Sequence, residues 1–288
     1  MRGEEIKMAR TIVTCTKCGA QGHKDMMKAY SKNNRGQRVA YICPRCAQEM
    51  HSYYDENNEL RGADTVHPFT YGMELETSGS TEKARGELAE YKFMPSHDST
   101  VDVEFKSPIM NNLKSLSHLG KVLDKMLANG EIEIDSSCGT HFHVGHSKLN
   151  AETMGYVRRF YNSLFVPLCE EMQRHPMETE QLFGRNFGYW SDTINMHSDA
   201  MDHTNFINVQ HNVTLEFRIA YFKSGAQYMR VAKLATKITE AVMNNFVEHF
   251  NDSEWDHSRY ATIREYRLHK AQVAAQKMVK AYLKAINA

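Results

Sequence analysis

The sequence of 288 residues has no long apolar run. Crossing a bilayer needs roughly 18 such residues in a row, so we expect no membrane span. The chain also lacks an excess of either charge, because 35 Lys and Arg balance 35 Asp and Glu. This balance, with 41% apolar residues, excludes intrinsic disorder and argues against a protein that coats nucleic acid. No basic, then apolar, leader opens the chain, so we expect a cytoplasmic protein with reduced thiols.

The zero net charge is a sum of unlike segments. Residues 1–51 carry ten basic and four acidic side chains, and residues 257–288 carry seven and one, so each end has a charge of +6. Residues 52–256 carry 18 basic and 30 acidic side chains, a charge of −12. An acidic body favours divalent cations, whereas a basic end favours an anionic partner or is simply a solvated surface.

Four of the six cysteines form two C-x2-C pairs, Cys15 with Cys18 and Cys43 with Cys46. Each pair can place two thiolates on one tetrahedral ion, and four thiolates leave no open position for catalysis. In a reducing compartment the pattern indicates structural Zn²⁺, with disulfides or a redox pair as the alternative. We therefore predict a zinc ribbon and linker over residues 1–66. The ribbon could contact a protein or a nucleic acid.

Four segments of the body alternate apolar and polar residues with period two, which is typical of strands with one buried face. These predicted strands cover residues 69–76, 101–106, 139–145 and 213–219. Their polar face is rich in groups that bind cations or phosphate. It carries Glu74, Glu76, Asp102, Glu104, Lys106, His141, His143, Glu216 and Arg218.

Like charges on neighbouring strands repel one another, and bound cations would remove that repulsion. Glu74 and Glu76 are two residues apart, so their backbones lie about 6.6 Å apart on a strand. Their carboxylates can therefore serve two adjacent ions. Oxygen donors favour Mg²⁺, and an imidazole shifts the preference toward Mn²⁺. The alternative is a solvated sheet without metal.

Apolar residues at helical spacing predict helices over residues 112–129, 150–174, 225–250 and 258–287. We expect Pro167 to kink the second of these helices. The order of strands and helices predicts an α+β fold for residues 67–288. Its sheet would be antiparallel or mixed, with a charged catalytic face and with helices packed on the opposite face.

Four motifs at these strands resemble, in order, those of the amidoligase family. This family is a branch of the carboxylate–amine ligases with a fold akin to glutamine synthetase and glutamate–cysteine ligase. The motifs lie at residues 69–76 (FTYGMELE), 97–108 (HDSTVDVEFKSP), 137–145 (SCGTHFHVG) and 214–219 (TLEFRI), and residues 183–187 weakly resemble an arginine segment of the family. The resemblance covers about residues 69–245, leaving out the zinc ribbon and the basic C-terminal helix.

The resemblance implies that the protein forms an amide or isopeptide bond with ATP as co-substrate. A carboxylate attacks the γ-phosphate to give an acyl phosphate, and an amine then displaces phosphate. The substrates would be small-molecule or peptide carboxylates and amines. No Walker P-loop and no G-x-G-x-x-G motif is present in the sequence, so metals and arginines would hold the nucleotide.

The resemblance also implies roles for single residues. Glu74, Glu76 and Glu104 would hold Mg²⁺ or Mn²⁺, and His141 and Glu216 would hold a second ion beside the phosphates. His143 would contact phosphate or substrate, while Arg218 and Arg185 would stabilise the transferring phosphoryl group. Asp98 would orient a loop or accept the amine proton. Lys106 departs from the family pattern, and a cation there suggests binding of a substrate carboxylate or phosphate, or an edge position that reaches solvent.

Two other functions fit the same residues. A metal-dependent hydrolase would use His141, His143 and the carboxylates, with metal-bound water as the nucleophile. A non-enzymatic adaptor would use the zinc ribbon to bind protein or nucleic acid. Release of phosphate from ATP separates a ligase from a hydrolase.

Overall fold

The computed structural model describes residues 12–15, 21–23, 28–32, 38–42, 68–96, 101–110, 112–184, 205–218, 220–249 and 259–288. Two antiparallel hairpins come first, β1 (Ile12–Thr14) with β2 (Gln21–His23) and β3 (Lys28–Lys32) with β4 (Arg38–Ile42). Strand β1 leads directly into buried Cys15, and β4 ends one residue before Cys43. Strands β1 and β4 are neighbours. Cys18, Cys43 and Cys46 lie outside the described residues, and the zinc ribbon stays a prediction.

Six strands form one sheet in the order β11-β12-β10-β5-β8-β7, and every neighbouring pair is antiparallel. The strands of the body are β5 (Phe69–Thr77), β6 (Gly79–Ser80), β7 (Met94–Ser96), β8 (Val103–Lys106), β9 (Ile132–Glu133), β10 (Thr140–His146), β11 (Ile207–Asn208) and β12 (Thr214–Phe217). Strands β6 and β9 pair separately. The four predicted strands thus become four adjacent strands of one antiparallel sheet.

Seven α-helices occur in the described part of the chain. They are α1 (Glu82–Glu90), α2 (Leu113–Ala128), α3 (Ala151–Arg159), α4 (Tyr161–Arg174), α5 (Pro176–Phe183), α6 (Gly225–Asn245) and α7 (Ile263–Ile286), and a short 3-10 helix spans Val247–His249. Side chains fix the helix starts, since Asn112 accepts from the Ser115 N–H at α2, and Thr262 with Glu265 forms a capping box at α7. None of these helices has the length and apolar character to cross a membrane.

The helices cover the apolar face of the sheet. Along β5, Tyr71, Met73 and Leu75 are buried, as the alternation predicts. Helix α6 lies against β10, where the Tyr228 ring meets the Phe142 ring edge-on at 5.5 Å between centroids. Helices α2 and α7 pack on α6, and α4 packs on α7. The α+β prediction is confirmed. The polar side chains of the strands lie on the opposite face of the sheet.

Two details of the prediction are wrong. Residues 150–174 form two helices that part at Phe160, and Pro167 lies inside α4. The helix is interrupted at Phe160, which leaves helical geometry with φ −107° and ψ 18°. The kink expected at Pro167 stays a prediction. Val213 was expected on the buried face, but it precedes β12 and is 57% exposed.

Candidate active site

The antiparallel register sets the predicted polar residues side by side on one face of β12, β10, β5 and β8. The cross-strand pairs are Glu216 with His143, His141 with Glu74, Glu74 with Lys106, and Glu76 with Glu104. Each of these strands turns alternate residues toward this face, so a single register fixes the whole constellation. The sequence alone did not show that the four predicted strands are neighbours, and the structure shows that they are.

One group of potential ligands joins Glu74, His141 and Glu216. The Nδ1 atom of His141 lies 3.2 Å from Glu74 Oε2 and 3.3 Å from Glu216 Oε1. One donor atom of each residue lies within 4.8 Å of the other two. Carboxylate and imidazole donors at this spacing suit one divalent cation.

A second group joins Glu76, Glu104 and His141, again with one donor atom of each within 4.8 Å. The other ring nitrogen of His141, Nε2, lies 3.6 Å from Glu76 Oε1. The Gly139 N–H donates to Glu76 Oε2 and fixes that carboxylate. His141 therefore stands between two carboxylate groups.

The resemblance implies one ion at Glu74, Glu76 and Glu104 and a second at His141 and Glu216, and these assignments stay predictions. The donor groups of the structure place Glu74 with His141 and Glu216, because the register sets Glu74 opposite His141 and Glu76 opposite Glu104.

Lys106 reaches into the carboxylates. Its Nζ lies 2.8 Å from Glu74 Oε1 and 3.2 Å from Glu104 Oε2. Its side chain is still 44% exposed, so it belongs to the site and also meets solvent. Burial lowers the pKa of Lys106, but the ion pairs with Glu74 and Glu104 outweigh that effect and raise it. A positive charge here partly neutralises the groups that a divalent cation would neutralise.

Glu216 is the most enclosed carboxylate of the site, with 1% of its surface exposed. Arg218 Nη1 donates to its Oε1 at 2.6 Å, and Asn208 Nδ2 donates to its Oε2 at 2.6 Å. Burial would raise the pKa of Glu216, yet the hydrogen bond with His211 and the charge of Arg218 lower it to about 2. Glu216 therefore stays ionised and can accept a cation.

Burial and charge act in opposite directions on the other carboxylates. Burial raises the pKa of Glu74, but hydrogen bonds with His141, His143 and Lys106 outweigh it and hold the pKa well below its usual range. Burial, and then the charge of Glu74, raises the pKa of Glu104. The charge of Glu74 therefore makes ionisation of Glu104 less favourable.

The charge and the free donors both fit divalent cations. Four carboxylates against Lys106 and Arg218 give 2 − 4 = −2 with neutral imidazoles. Within the described part of the chain, His143 Nε2 is buried, and its contact with Glu74 Oε1, at 3.6 Å, is longer than a normal hydrogen bond. A loosely held imidazole nitrogen beside an excess of carboxylates is the donor chemistry of a metal site.

Sequence reasoning missed two residues of this face, Asn208 on β11 and His211 in the turn after it. His211 Nε2 lies 3.2 Å from Glu216 Oε2, and its ring meets the His143 ring edge-on at 5.2 Å between centroids. The one available signal was the polar run at residues 210–212, directly before the predicted strand.

Other expected residues lie elsewhere. Asp102 precedes β8 and pairs with Arg85 at 2.9 Å on an exposed surface, so it does not join the carboxylates. Asp98 and Arg185 lie outside the described residues, and their roles remain predictions.

A protein-family model described as "Putative amidoligase enzyme" matches residues 45–284. The chain belongs to this amidoligase family. Membership indicates a ligase, in agreement with the resemblance of the four strand motifs. The match reaches into α7, so the basic C-terminal helix is part of the amidoligase body and not an addition to it. No curated protein matches the chain.

Proposed function

We propose that this amidoligase is an ATP- and Mg²⁺-dependent carboxylate–amine ligase with a glutamine synthetase-like catalytic sheet. It would form an amide or isopeptide bond through an acyl phosphate. One observation carries the proposal: adjacent antiparallel strands gather Glu74, Glu76, Glu104 and Glu216 around the single imidazole of His141. A ligase of this type must bind a polyanionic nucleotide, and divalent cations bound by these carboxylates would neutralise its phosphates.

The chemistry proceeds in two balanced steps. An oxygen of the donor carboxylate attacks the γ-phosphorus of ATP, and ADP leaves. The amine nitrogen then attacks the acyl carbon, loses a proton and expels inorganic phosphate. Phosphoryl transfer depends on positioning and charge stabilisation more than on a protein nucleophile, which agrees with a site built from acids, imidazoles and cationic side chains.

The two donor groups would hold Mg²⁺ or Mn²⁺, which neutralises phosphate charge. Arg218 already faces the site through Glu216, and we assign it, with Arg185, to the transferring phosphoryl group. His143 and Lys106 are assigned to phosphate or to the substrate carboxylate. Asp98 would orient a loop or accept the proton of the amine.

The N-terminal segment would add a structural ion. Cys15, Cys18, Cys43 and Cys46 would hold Zn²⁺, which requires reduced thiols and hence a reducing compartment such as the cytoplasm. The neighbouring strands β1 and β4 support this assignment. A folded ribbon would contact a protein or nucleic acid, and a peptide or protein substrate would agree with such a contact.

The test incubates the full chain with Mg²⁺, ATP and a panel of amines and carboxylates. Phosphate release and mass spectrometry of the products are followed together. We expect ATP-dependent C–N bond formation that Glu216→Gln abolishes. Glu180→Gln, which removes an exposed carboxylate of α5, should leave the reaction unchanged.

Two outcomes would contradict the proposal. Cleavage of amides without ATP would identify a metal-dependent hydrolase. The absence of nucleotide binding and turnover in the wild type and in Glu216→Gln alike would favour a non-enzymatic adaptor.

A further inference from the structure

A third set of donors lies beside the two carboxylate groups and differs from them in kind. His143, His211 and Glu216 each offer one donor atom within 4.8 Å of the other two. This set contains two imidazoles and one carboxylate, whereas each of the two sets described above contains two carboxylates and one imidazole. Two histidines with one carboxylate is a donor set that favours transition metals over Mg²⁺.

The two oxygens of Glu216 face different donor groups. Oε1 lies 3.3 Å from His141 Nδ1, in the group with Glu74. Oε2 lies 3.2 Å from His211 Nε2. Glu216 can therefore serve one ion on each side, as a bridging carboxylate does.

Two observations concern the access of an ion to the histidines. The His143 Nε2 atom is buried, and its contact with Glu74 Oε1, at 3.6 Å, is longer than a normal hydrogen bond. The His211 side chain is 48% exposed, so an ion can arrive from solvent without crossing the core.

The turn that carries His211 is fixed from outside the site. Arg158 of α3 donates from Nε to the Val209 carbonyl at 2.8 Å and from Nη2 to the Gln210 carbonyl at 2.9 Å and Asn212 Oδ1 at 2.9 Å. The same Nη2 lies 3.3 Å from the carbonyl oxygen of His211 itself. One guanidinium thus holds the backbone of the whole turn, and the backbone position of His211 does not depend on the contact of its ring with Glu216. Outer residues that orient ligands in this way are typical of metal sites.

We propose that His143, His211 and Glu216 form a further cation site, which takes a borderline divalent ion such as Zn²⁺, Co²⁺ or Ni²⁺. This site stands on its own donors and does not depend on the ligase activity. Asn208, which donates to Glu216 Oε2 at 2.6 Å, orients the shared carboxylate.

The test titrates Ni²⁺ into the untagged full chain by calorimetry, with saturating Mg²⁺ present to occupy the carboxylate groups. We expect the wild type to bind one Ni²⁺ equivalent that His211→Ala lacks. The matched control is His175→Ala, since His175 also pairs with a glutamate, at 3.2 Å from Glu171, but far along the chain at the end of α4. His175→Ala should still bind the one Ni²⁺ equivalent. Any Ni²⁺ held by the N-terminal cysteines is the same in all variants and cancels in the comparison.

Arg158→Lys provides a second variant that leaves every ligand in place. Lysine keeps the positive charge but cannot donate to several carbonyl groups at once as the guanidinium does, so Ni²⁺ should bind roughly 10–100-fold more weakly. Equal Ni²⁺ uptake by the wild type and His211→Ala would overturn the site, and unchanged affinity in Arg158→Lys would overturn the role of the turn. Binding of ATP with Mg²⁺ is measured in the wild type and in His211→Ala to keep the two proposals apart. If His211→Ala loses the Ni²⁺ equivalent but still binds ATP, the ligase proposal is unaffected. If the wild type does not bind ATP, the ligase proposal fails.

Discussion

Replacing Gly139 with alanine tests how closely the structure fits a cation between Glu76 and His141. A Cβ atom at this position would lie 3.1 Å from Glu76 Oε2 and 3.1 Å from His141 Nε2. Ordinary contacts begin at 3.4 Å, so both donors must shift by a few tenths of an ångström. The Gly139 N–H that donates to Glu76 would shift with them.

Small displacements of ligands typically weaken a metal site by about 10–100-fold. We therefore predict that Gly139→Ala raises the Mg²⁺ concentration for half-maximal phosphate release by roughly that factor. The free energy of unfolding should change by less than about 1 kcal/mol, because replacing a glycine lowers the conformational entropy of the unfolded chain and so offsets part of the strain. Phosphate release across a Mg²⁺ titration measures the first effect, and urea unfolding measures the second.

Gly155→Ala is the matched control. Gly155 lies in α3, and a Cβ there would meet nothing within 4 Å. This variant should gain about 0.4–1 kcal/mol of stability and keep the wild-type requirement for Mg²⁺. An equal Mg²⁺ requirement in the two variants would refute the assignment of Glu76 and His141 to a cation.

Three further predictions concern charge and metals. The pKa of Glu216, lowered from 4.5 to about 2, implies that ionised Glu216 stabilises the metal-free fold by on the order of 3 kcal/mol. This contribution is complete above pH 4.5 and is lost as the pH falls through about 2, so in urea unfolding the stability difference between wild type and Glu216→Gln should shrink toward acid. Mg²⁺ at 100 times its Kd adds about 2.7 kcal/mol, a rise in Tm of roughly 5–10 °C that Glu74→Gln should lose and Glu180→Gln should keep. Elemental analysis should find one zinc equivalent per chain less in Cys15→Ser than in the wild type; a zinc-free wild type would contradict the ribbon.

The charged face was predictable because period-two alternation assigns side chains to faces without knowledge of neighbours. Glu74, Glu104, His141 and Glu216 could each be placed on the polar side of a strand from sequence spacing alone. Their grouping could not be predicted in this way, because the register between β5 and β10 sets Glu74 against His141, and that register depends on tertiary packing.

His211 could not be found by the same reasoning because it has no place in an alternating strand. Its position depends on Arg158, which lies 53 residues earlier along the chain and holds the turn through backbone carbonyls that carry no sequence signal. The break at Phe160 was missed for a related reason. Pro167 is a strong local signal, whereas Phe160 carries none, although α4 begins directly after it and packs against α7.

The acyl phosphate is the central claim, and isotope transfer tests it most directly. The carboxylate substrate identified in the panel is labelled with ¹⁸O at both oxygens and is supplied with Mg²⁺, ATP and its amine. Attack on the γ-phosphate predicts that one labelled oxygen appears in the released phosphate and the other remains in the amide. Phosphate released without label, while the amide forms, would contradict the account.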